Sequence, residues 1–367
     1  MKALKRIFAL ILVLALAVSC AACHPKDEIA LTIGDENILS AFYLCALIQA
    51  DGEGQSKVTE QLQAAGSSTT NINYKKQTID EKPYYTWVKD RAVAICSQFV
   101  ALKNKLIEID LPIDSADEST IQMYAQYMWN SYGYSSMYGA NGVSYETFKA
   151  YYRYTYMNNK YFNKIYGKDG LNPVPEQELK DTLTGNFAIA NVIEASFTDS
   201  EGNALETADI NDLRTKFNTL KERLEKGESF ITVYEDYNKV AEADKYANKS
   251  AADKENGPKE PYAQVYGNDK TGDMASDNYD ILKEMEIGAV KVIEAEDANS
   301  IAVVVKLDPL GDDYYAEYLN SYLLSIARQD EYDATLAEMG KTLPVKEHSY
   351  VLGYVKPQKI KYPSTSN

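Results

Sequence analysis

A change of pattern near residue 170 constrains the fold of this chain more than any other feature. Between residues 38 and 167, apolar residues recur at steps of three and four, which is the spacing of amphipathic helices. Between 187 and 307, short apolar runs typical of strands alternate with helical segments. A stretch rich in Gly and Pro at 167–175 separates the two regions. The sequence therefore predicts an α+β chain, mostly helical, that contains a smaller α/β unit.

Four or five helices are predicted in the first region. The strongest covers 85–109, where apolar residues fall on one face at helical spacing. Ser115 begins a capping-box pattern that predicts a helix to about residue 132. Ser144 is predicted to begin another helix, which runs to 166. A short β-like run at 29–33 precedes all of them.

Two segments of this region are predicted to be loops. Residues 51–78 are rich in Gln, Ser, Thr and Gly, so a helix predicted from 38 is expected to stop at residue 50. Residues 133–142 are composed mainly of Tyr, Ser and Gly, and they are expected to connect two helices.

The second region predicts a sheet with helices packed on it. Its first strand is predicted at 187–197 and its last at 301–307, with a helix at 209–226 between them. A long helix is predicted at 314–339, and an extended tail at 350–362.

The first 23 residues resemble the leader of a bacterial lipoprotein. Three basic residues precede the apolar run 7–18, which is shorter than the ~20 apolar residues of a membrane span. Small residues then lead to two cysteines, and the lipid-bearing residue is predicted to be Cys23, or alternatively Cys20. This leader predicts a protein anchored by lipid at the extracytoplasmic face of the cell membrane. The alternative is a cleaved leader on a freely secreted protein.

Composition argues against several functional classes. The net charge of −16 would repel nucleic acid, and no Gly-rich phosphate loop or Cys/His metal spacing is present, so neither a cofactor nor a metal is expected. The acidic runs at 294–297 and 311–313 lack calcium-loop spacing and are expected to be solvated. Cys45 and Cys96 are expected to be buried free thiols, with a disulfide between them as the alternative.

The order of several segments along the chain resembles one family of proteins. The segments are LTIGD at 31–35, PEQEL at 175–179, LKERLEKGESF at 220–230, MEIGAV at 285–290 and VVKL at 304–307. Together they resemble the PrsA/SurA group of extracytoplasmic foldases. The resemblance implies a helical chaperone module, made of N-terminal helices and a C-terminal helix, with an inserted parvulin-type peptidyl-prolyl isomerase domain.

The resemblance also implies two catalytic histidines that this chain lacks. An active parvulin would carry one histidine on its first strand, where this chain has Asn191, and one on its last strand, where it has Val303 (or Ile301). The only histidines are His24 and His348, and both fall outside this domain. We therefore expect no catalytic residues and a domain that is parvulin-like in shape but inactive, with an active isomerase as the alternative.

Aromatic residues are densest between 123 and 166, where methionines are interspersed among them. Tyrosine combines an apolar ring with a hydroxyl that tolerates water, and methionine adapts its shape, so the two together suit a surface for unrelated unfolded segments. The alternative is a Tyr-rich core. The residues predicted to edge a cleft that binds unfolded polypeptides are Tyr132, Tyr134, Tyr138, Tyr151 and Tyr154.

These observations predict four parts of the chain. They are a leader at 1–23, a helical chaperone module at 24–172, a parvulin-like domain at 173–308 and a completing segment at 309–367. The predicted function is a membrane-anchored chaperone for newly secreted polypeptides. Besides the isomerase, a second alternative is a solute-binding lipoprotein, which would be built of repeated βαβ units.

Overall fold

The structure is a computed structural model that describes residues 28–199, 201–238, 259, 262–295 and 299–363. The chain divides into two compact units. The first combines residues up to Ile165 with those from Asp330 onward, and the second is Tyr166–Gln329. The predicted leader, with Cys20 and Cys23, lies outside the described residues. Within the residues that are described, none of the helices has the length and apolar character needed to cross a membrane.

The first unit is mostly helical, with a small antiparallel sheet. Strands β1 (Ile29–Ile33) and β2 (Glu36–Leu39) form a hairpin, and β9 (Val345–Glu347) pairs with the other edge of β1. The remaining elements before Ile165 are α1 (Ser40–Ala64), β3 (Thr78–Ile79), β4 (Lys82–Pro83), α2 (Tyr84–Glu108), α3 (Ser115–Ser131), α4 (Tyr134–Ala140) and α5 (Tyr145–Tyr166).

Helices α1 and α2 pack along each other and form the centre of this unit. Cys45 and Cys96 are buried there as free thiols, as expected from the sequence. Burial raises the pKa of both thiols above their usual range, so neither is a reactive thiolate at neutral pH.

The two predicted loops are helical over part of their length: α1 extends through the first half of 51–78 and α4 occupies most of 133–142, whereas 65–73 form no helix or strand, as predicted. Helix α1 continues to Ala64 because Val58 is fully buried and Gly54 packs closely against the rings of Tyr84 and Trp87. Residues 134–140 form α4, whose Tyr138 is buried. In both cases tertiary packing outweighs a weak local preference for helix.

The capping box of α3 lies one residue earlier than predicted. The Asp114 side chain accepts hydrogen bonds from the backbone N–H groups of Ala116 and Asp117, and the Asp117 side chain accepts from the backbone N–H of Asp114. Aspartate serves as both capping residues, and the box begins at Asp114 rather than at the predicted Ser115.

The second unit contains a four-stranded antiparallel sheet in the order β6–β5–β8–β7. Its strands are β5 (Phe187–Ser196), β6 (Ala263–Gly267), β7 (Val290–Ala295) and β8 (Ser300–Leu307). The predicted first and last strands are therefore adjacent, and they pair with Asn191 opposite Val305 and Ile193 opposite Val303. The helices are α6 (Glu176–Asn186), α7 (Thr207–Glu225), α8 (Phe230–Asn238), α9 (Asn278–Glu284), α10 (Asp313–Tyr318) and the first part of α11 (Asn320–Lys341).

Helices cover both faces of this sheet. On one face, Phe217 of α7 and Phe230 of α8 pack against Ile193 and Val303. On the other face, Leu282 of α9 packs in a cluster with buried residues of β5 and β8.

The boundary between the predicted inserted domain and the completing segment differs in the structure. Tyr315, Leu319 and Leu323 bury their side chains in a cluster with Leu183 and Phe187, so residues up to Gln329 belong to the second unit rather than only those up to 308. The predicted long helix at 314–339 is also interrupted, because Leu319 separates α10 from α11.

The predicted extended tail is partly helical. Residues Ser349–Tyr354 form α12, and Pro357–Lys359 form a single 3-10 turn in which Pro357 is buried. Residues 360–363 follow without regular structure.

Candidate functional site

An open groove of about 490 Å³ lies in the first unit, and we call it the aromatic groove. Helix α1 forms one wall, and the end of α3, the turn after it, α4 and α5 form the rest. Its lining residues are Ile48, Gln49, Gly52, Met128, Tyr132, Gly133, Tyr134, Met137, Tyr138, Phe148, Tyr151, Tyr152 and Thr155.

A tight turn between α3 and α4 positions the rings of the groove. Gly133 has a φ of +71°, a conformation that glycine adopts without strain, and α4 begins at the next residue. Tyr134 and Tyr138 lie one helical turn apart and stack with their ring centroids 5.7 Å apart. Phe148 of α5 packs against both, at 5.5 Å from Tyr134 and 5.0 Å from Tyr138. The rings thus form one continuous surface.

The groove is electrically neutral, although the whole chain carries a net charge of −16. None of its lining residues is ionised at neutral pH. Burial raises the pKa of Tyr138 and Tyr151 well above the usual tyrosine range, so both hydroxyls keep their protons. The Tyr151 hydroxyl donates a hydrogen bond to Oε1 of Gln49 on α1. Such a surface offers apolar contact and neutral hydrogen bonding, and it lacks groups suited to acid–base chemistry.

Four of the five tyrosines predicted for a cleft line this groove. Tyr132 is 61% exposed, Tyr134 is half-buried, and Tyr138 and Tyr151 are mostly buried with part of each ring at the surface of the groove. Tyr154 does not line it. Its ring packs against Phe99, with centroids 6.0 Å apart, and its hydroxyl donates to Oε1 of Gln98 at 3.3 Å. For Tyr154, this arrangement supports the alternative interpretation, in which the tyrosine belongs to a Tyr-rich core.

The α1 wall of the groove was not predicted from the sequence. Ile48, Gln49 and Gly52 carry no local signal of binding, and α1 was expected to end near Ala50. The methionines of the groove, Met128 and Met137, belong to the aromatic segment that the sequence singled out.

Asn191 and Val303, the two positions where the sequence resemblance led us to expect parvulin histidines, lie on the same face of the four-stranded sheet. Asn191 is paired with Val305, and Val303 is paired with Ile193, so the two positions are diagonal neighbours. Both side chains are buried, and Val303 is enclosed by the apolar residues under α7 and α8. His348 lies in the first unit, where its Nε2 is 3.0 Å from Oγ1 of Thr32.

Among the residues that the structure describes, no three His, Cys, Asp or Glu side chains come together in a way that would hold a metal ion.

Comparisons with known proteins gave distant structural neighbours only. No family model and no curated protein matches the sequence. The crystal structure of the foldase protein PrsA from Streptococcus pneumoniae is 15% identical, with a TM-score of 0.34, over 80% of this chain and 95% of that chain. The crystal structure of PrsA from Bacillus subtilis is 15% identical, with a TM-score of 0.30, over 75% of this chain and 92% of that chain. Likeness at this level does not assign a function, so the functional argument depends on the residues of the chain.

Proposed function

We propose that this protein is an extracytoplasmic foldase-type chaperone that binds extended apolar segments of unfolded polypeptides in the aromatic groove. The observation that carries the proposal is a groove lined by five tyrosines, a phenylalanine and two methionines, with no ionised side chain, on a strongly acidic chain. The resemblance of its sequence segments to the PrsA/SurA group points to the same class of function.

The chemistry of the groove suits ligands of many sequences. Tyrosine rings bury apolar surface while their hydroxyls stay hydrogen-bonded to a partner or to water. Methionine side chains adjust to ligands of different shapes. Binding of this kind depends on apolar area rather than on a fixed pattern of charges, so it is weak and tolerant of sequence. A chaperone that must release its ligand needs both properties.

The proposed location follows from the leader-like residues 1–23. A lipid on Cys23 or Cys20 would hold the groove at the outer face of the membrane, where secreted polypeptides emerge unfolded. Labelling of cells with a fatty acid analogue, followed by replacement of each cysteine with Ser, tests this part: loss of label in one variant identifies the lipid-bearing residue, and absence of label from the unaltered protein contradicts the anchor.

The groove is tested with a triple variant, Tyr132→Ser, Tyr134→Ser and Tyr152→Ser. The probe is reduced, carboxamidomethylated lactalbumin, which stays unfolded because its disulfides are blocked. Each aromatic contact contributes about 0.5–1.5 kcal/mol beyond its buried area, so the apparent Kd measured by fluorescence anisotropy should rise at least about tenfold.

The matched control replaces three tyrosines outside the groove, namely Tyr318, Tyr350 and Tyr354, which are 55%, 69% and 47% exposed. This variant should bind the probe with the affinity of the unaltered protein. Far-UV circular dichroism must show that both triple variants are folded. If both bind equally well, the groove is not the binding site.

A further inference from the structure

Residues 360–363 of the chain are held by the edge of the aromatic groove through main-chain hydrogen bonds. The backbone N–H of Lys361 donates to Oδ1 of Asn141 at 2.8 Å, and Nδ2 of Asn141 donates to the backbone C=O of Lys361 at 2.8 Å. The Asn141 amide therefore pairs with both polar groups of one residue, as a neighbouring strand would pair.

The orientation of the Asn141 amide is fixed from within the groove wall. Its Nδ2 also donates to the backbone C=O of Met137 at 2.8 Å, one turn back in α4. A flipped amide would place its oxygen against two carbonyl oxygens, so only one orientation satisfies all three partners. Asn141 is thus set in advance to accept from an N–H and to donate to a C=O.

The side chains of the bound segment contribute little to this contact. Lys361 is exposed, and Tyr362 is 55% exposed, although its hydroxyl accepts a hydrogen bond from Nε2 of Gln55 at 2.6 Å. Because Asn141 contacts only the main chain, a residue of another type in an extended peptide would satisfy it equally well. This is recognition of a peptide regardless of its sequence.

The position of the segment connects it to the groove. Asn141 is the C-cap of α4 and lies three residues after Tyr138, which lines the groove together with Met137. Gln55 lies on α1 one turn beyond Gly52, which lines the opposite wall. The 360–363 segment therefore joins the end of α4 to α1 beside the groove.

We propose that Asn141 is a receptor for the main chain of unfolded polypeptides, and that the 360–363 segment occupies it as an internal competitor. This inference rests on the proposed function and adds a second contact to it. An incoming extended segment places its rings in the groove and its backbone on Asn141, and it displaces residues 360–363 as it binds. Because residues 360–363 must leave Asn141 before a ligand can bind there, their contact with Asn141 lowers the apparent affinity for the ligand.

The first experiment uses a chain that stops after Lys359. Three hydrogen bonds join the described part of the removed segment to Asn141 and Gln55, so the shortened protein should bind carboxamidomethylated lactalbumin about tenfold more tightly than the full chain does. It should also bind a fluorescein-labelled peptide with the sequence of residues 359–363, KIKYP. A control peptide has the same sequence but carries an N-methyl group on the backbone nitrogen of Lys361. It cannot donate the hydrogen bond that Oδ1 of Asn141 accepts, so it should not bind.

Two point variants test the proposal if shortening the chain prevents folding. Tyr362→Phe removes the hydrogen bond to Gln55 without changing Asn141. The affinity for lactalbumin should therefore increase two- to threefold, which is about the effect of losing one hydrogen bond. Asn141→Asp keeps the size of the side chain but loses both donated hydrogen bonds, so it should release the segment without any gain in affinity. Tyr350→Phe, at an exposed tyrosine outside the groove, is the matched control and should change nothing.

The outcomes separate this inference from the proposed function. An unchanged affinity in both the shortened chain and Tyr362→Phe, with binding still lost in the groove triple variant, overturns the competitor and leaves the chaperone in place. Equal binding of the plain and N-methylated peptides overturns the role of Asn141. If lactalbumin binds no form of the protein, the chaperone proposal fails, while selective binding of the plain peptide still supports the Asn141 site.

Discussion

At the scale of single residues, the clearest energetic feature of the first unit is the carboxylate of Asp117. Asp117 is 8% exposed, and its carboxylate takes part in the capping box of α3. The same carboxylate accepts a hydrogen bond from the Tyr156 hydroxyl at 2.6 Å and forms an ion pair with Lys160 of α5. Burial by itself would raise the pKa of Asp117, but the bonds from Lys160 and Tyr156 outweigh it and lower the pKa below the usual value. In return, the bond to Asp117 raises the pKa of Tyr156 to about 12.

We predict that this carboxylate makes stability depend on pH in acid. Its pKa is lower in the folded than in the unfolded protein, so its contribution is present above the unfolded pKa and is lost as the pH falls through the folded pKa. Asp117→Asn should lower the free energy of unfolding by about 1–3 kcal/mol at pH 7, because Lys160 loses its negatively charged partner and one of the two accepting oxygens becomes an NH2 group. The difference from the unaltered protein should shrink as the pH is lowered towards 3.

Urea unfolding curves at several pH values measure this. The control is Glu108→Gln, since Glu108 pairs with Lys105 at the surface and such pairs contribute ~0–1 kcal/mol. A difference for Asp117→Asn that is constant between pH 7 and pH 3 would contradict the assignment.

At the scale of elements, short-range pattern predicted long helices and failed at short or interrupted ones. Helices α2 and α5 and strand β5 were predicted nearly to their ends, because each carries a sustained apolar period. Helix α4 was missed because seven residues cannot show a period, and α10 was merged with α11 because the break at Leu319 leaves the apolar spacing intact.

We predict that the turn before α4 depends on glycine at one position only. Gly133 has a positive φ, and open space surrounds the position of an added Cβ, so Gly133→Ala should cost about 1 kcal/mol through backbone strain alone. Because this turn places Tyr134 and Tyr138, the Kd for unfolded lactalbumin should also rise. Thermal unfolding and anisotropy measure the two effects.

The matched control lies in the same short helix. Gly139 is within α4, its φ is not positive and its Cβ position is also open, so Gly139→Ala should raise stability by up to ~1 kcal/mol. If both alanines change the melting temperature in the same direction, backbone strain at Gly133 is not the cause.

At the scale of the whole molecule, the chain joins a helical unit made of two distant segments to a unit with a four-stranded antiparallel sheet. We expect function to be divided unequally between them. The first unit holds the aromatic groove, and the second holds Asn191 and Val303, the positions at which the sequence resemblance led us to expect parvulin histidines.

We predict that the protein does not accelerate prolyl isomerisation. The barrier to rotation about an X-Pro bond is ~20 kcal/mol, and the buried apolar side chain of Val303 has no polar group to act on it. A protease-coupled assay with a proline tetrapeptide should give the uncatalysed rate. Acceleration that persists in the groove triple variant would contradict this prediction and favour the isomerase alternative.

The sequence by itself determined the division into a helical region and a strand-containing region, the main helices, the buried thiols and the segment that supplies most of the aromatic groove. These follow from periodicity and composition, which act over a few turns of chain. Tertiary structure alone decided that α1 forms a wall of the groove, that Tyr154 lies outside the groove and that the second unit extends to Gln329. It also decided that residues 360–363 bind Asn141. Each of these depends on contacts between residues far apart in the chain, and such contacts leave no local pattern.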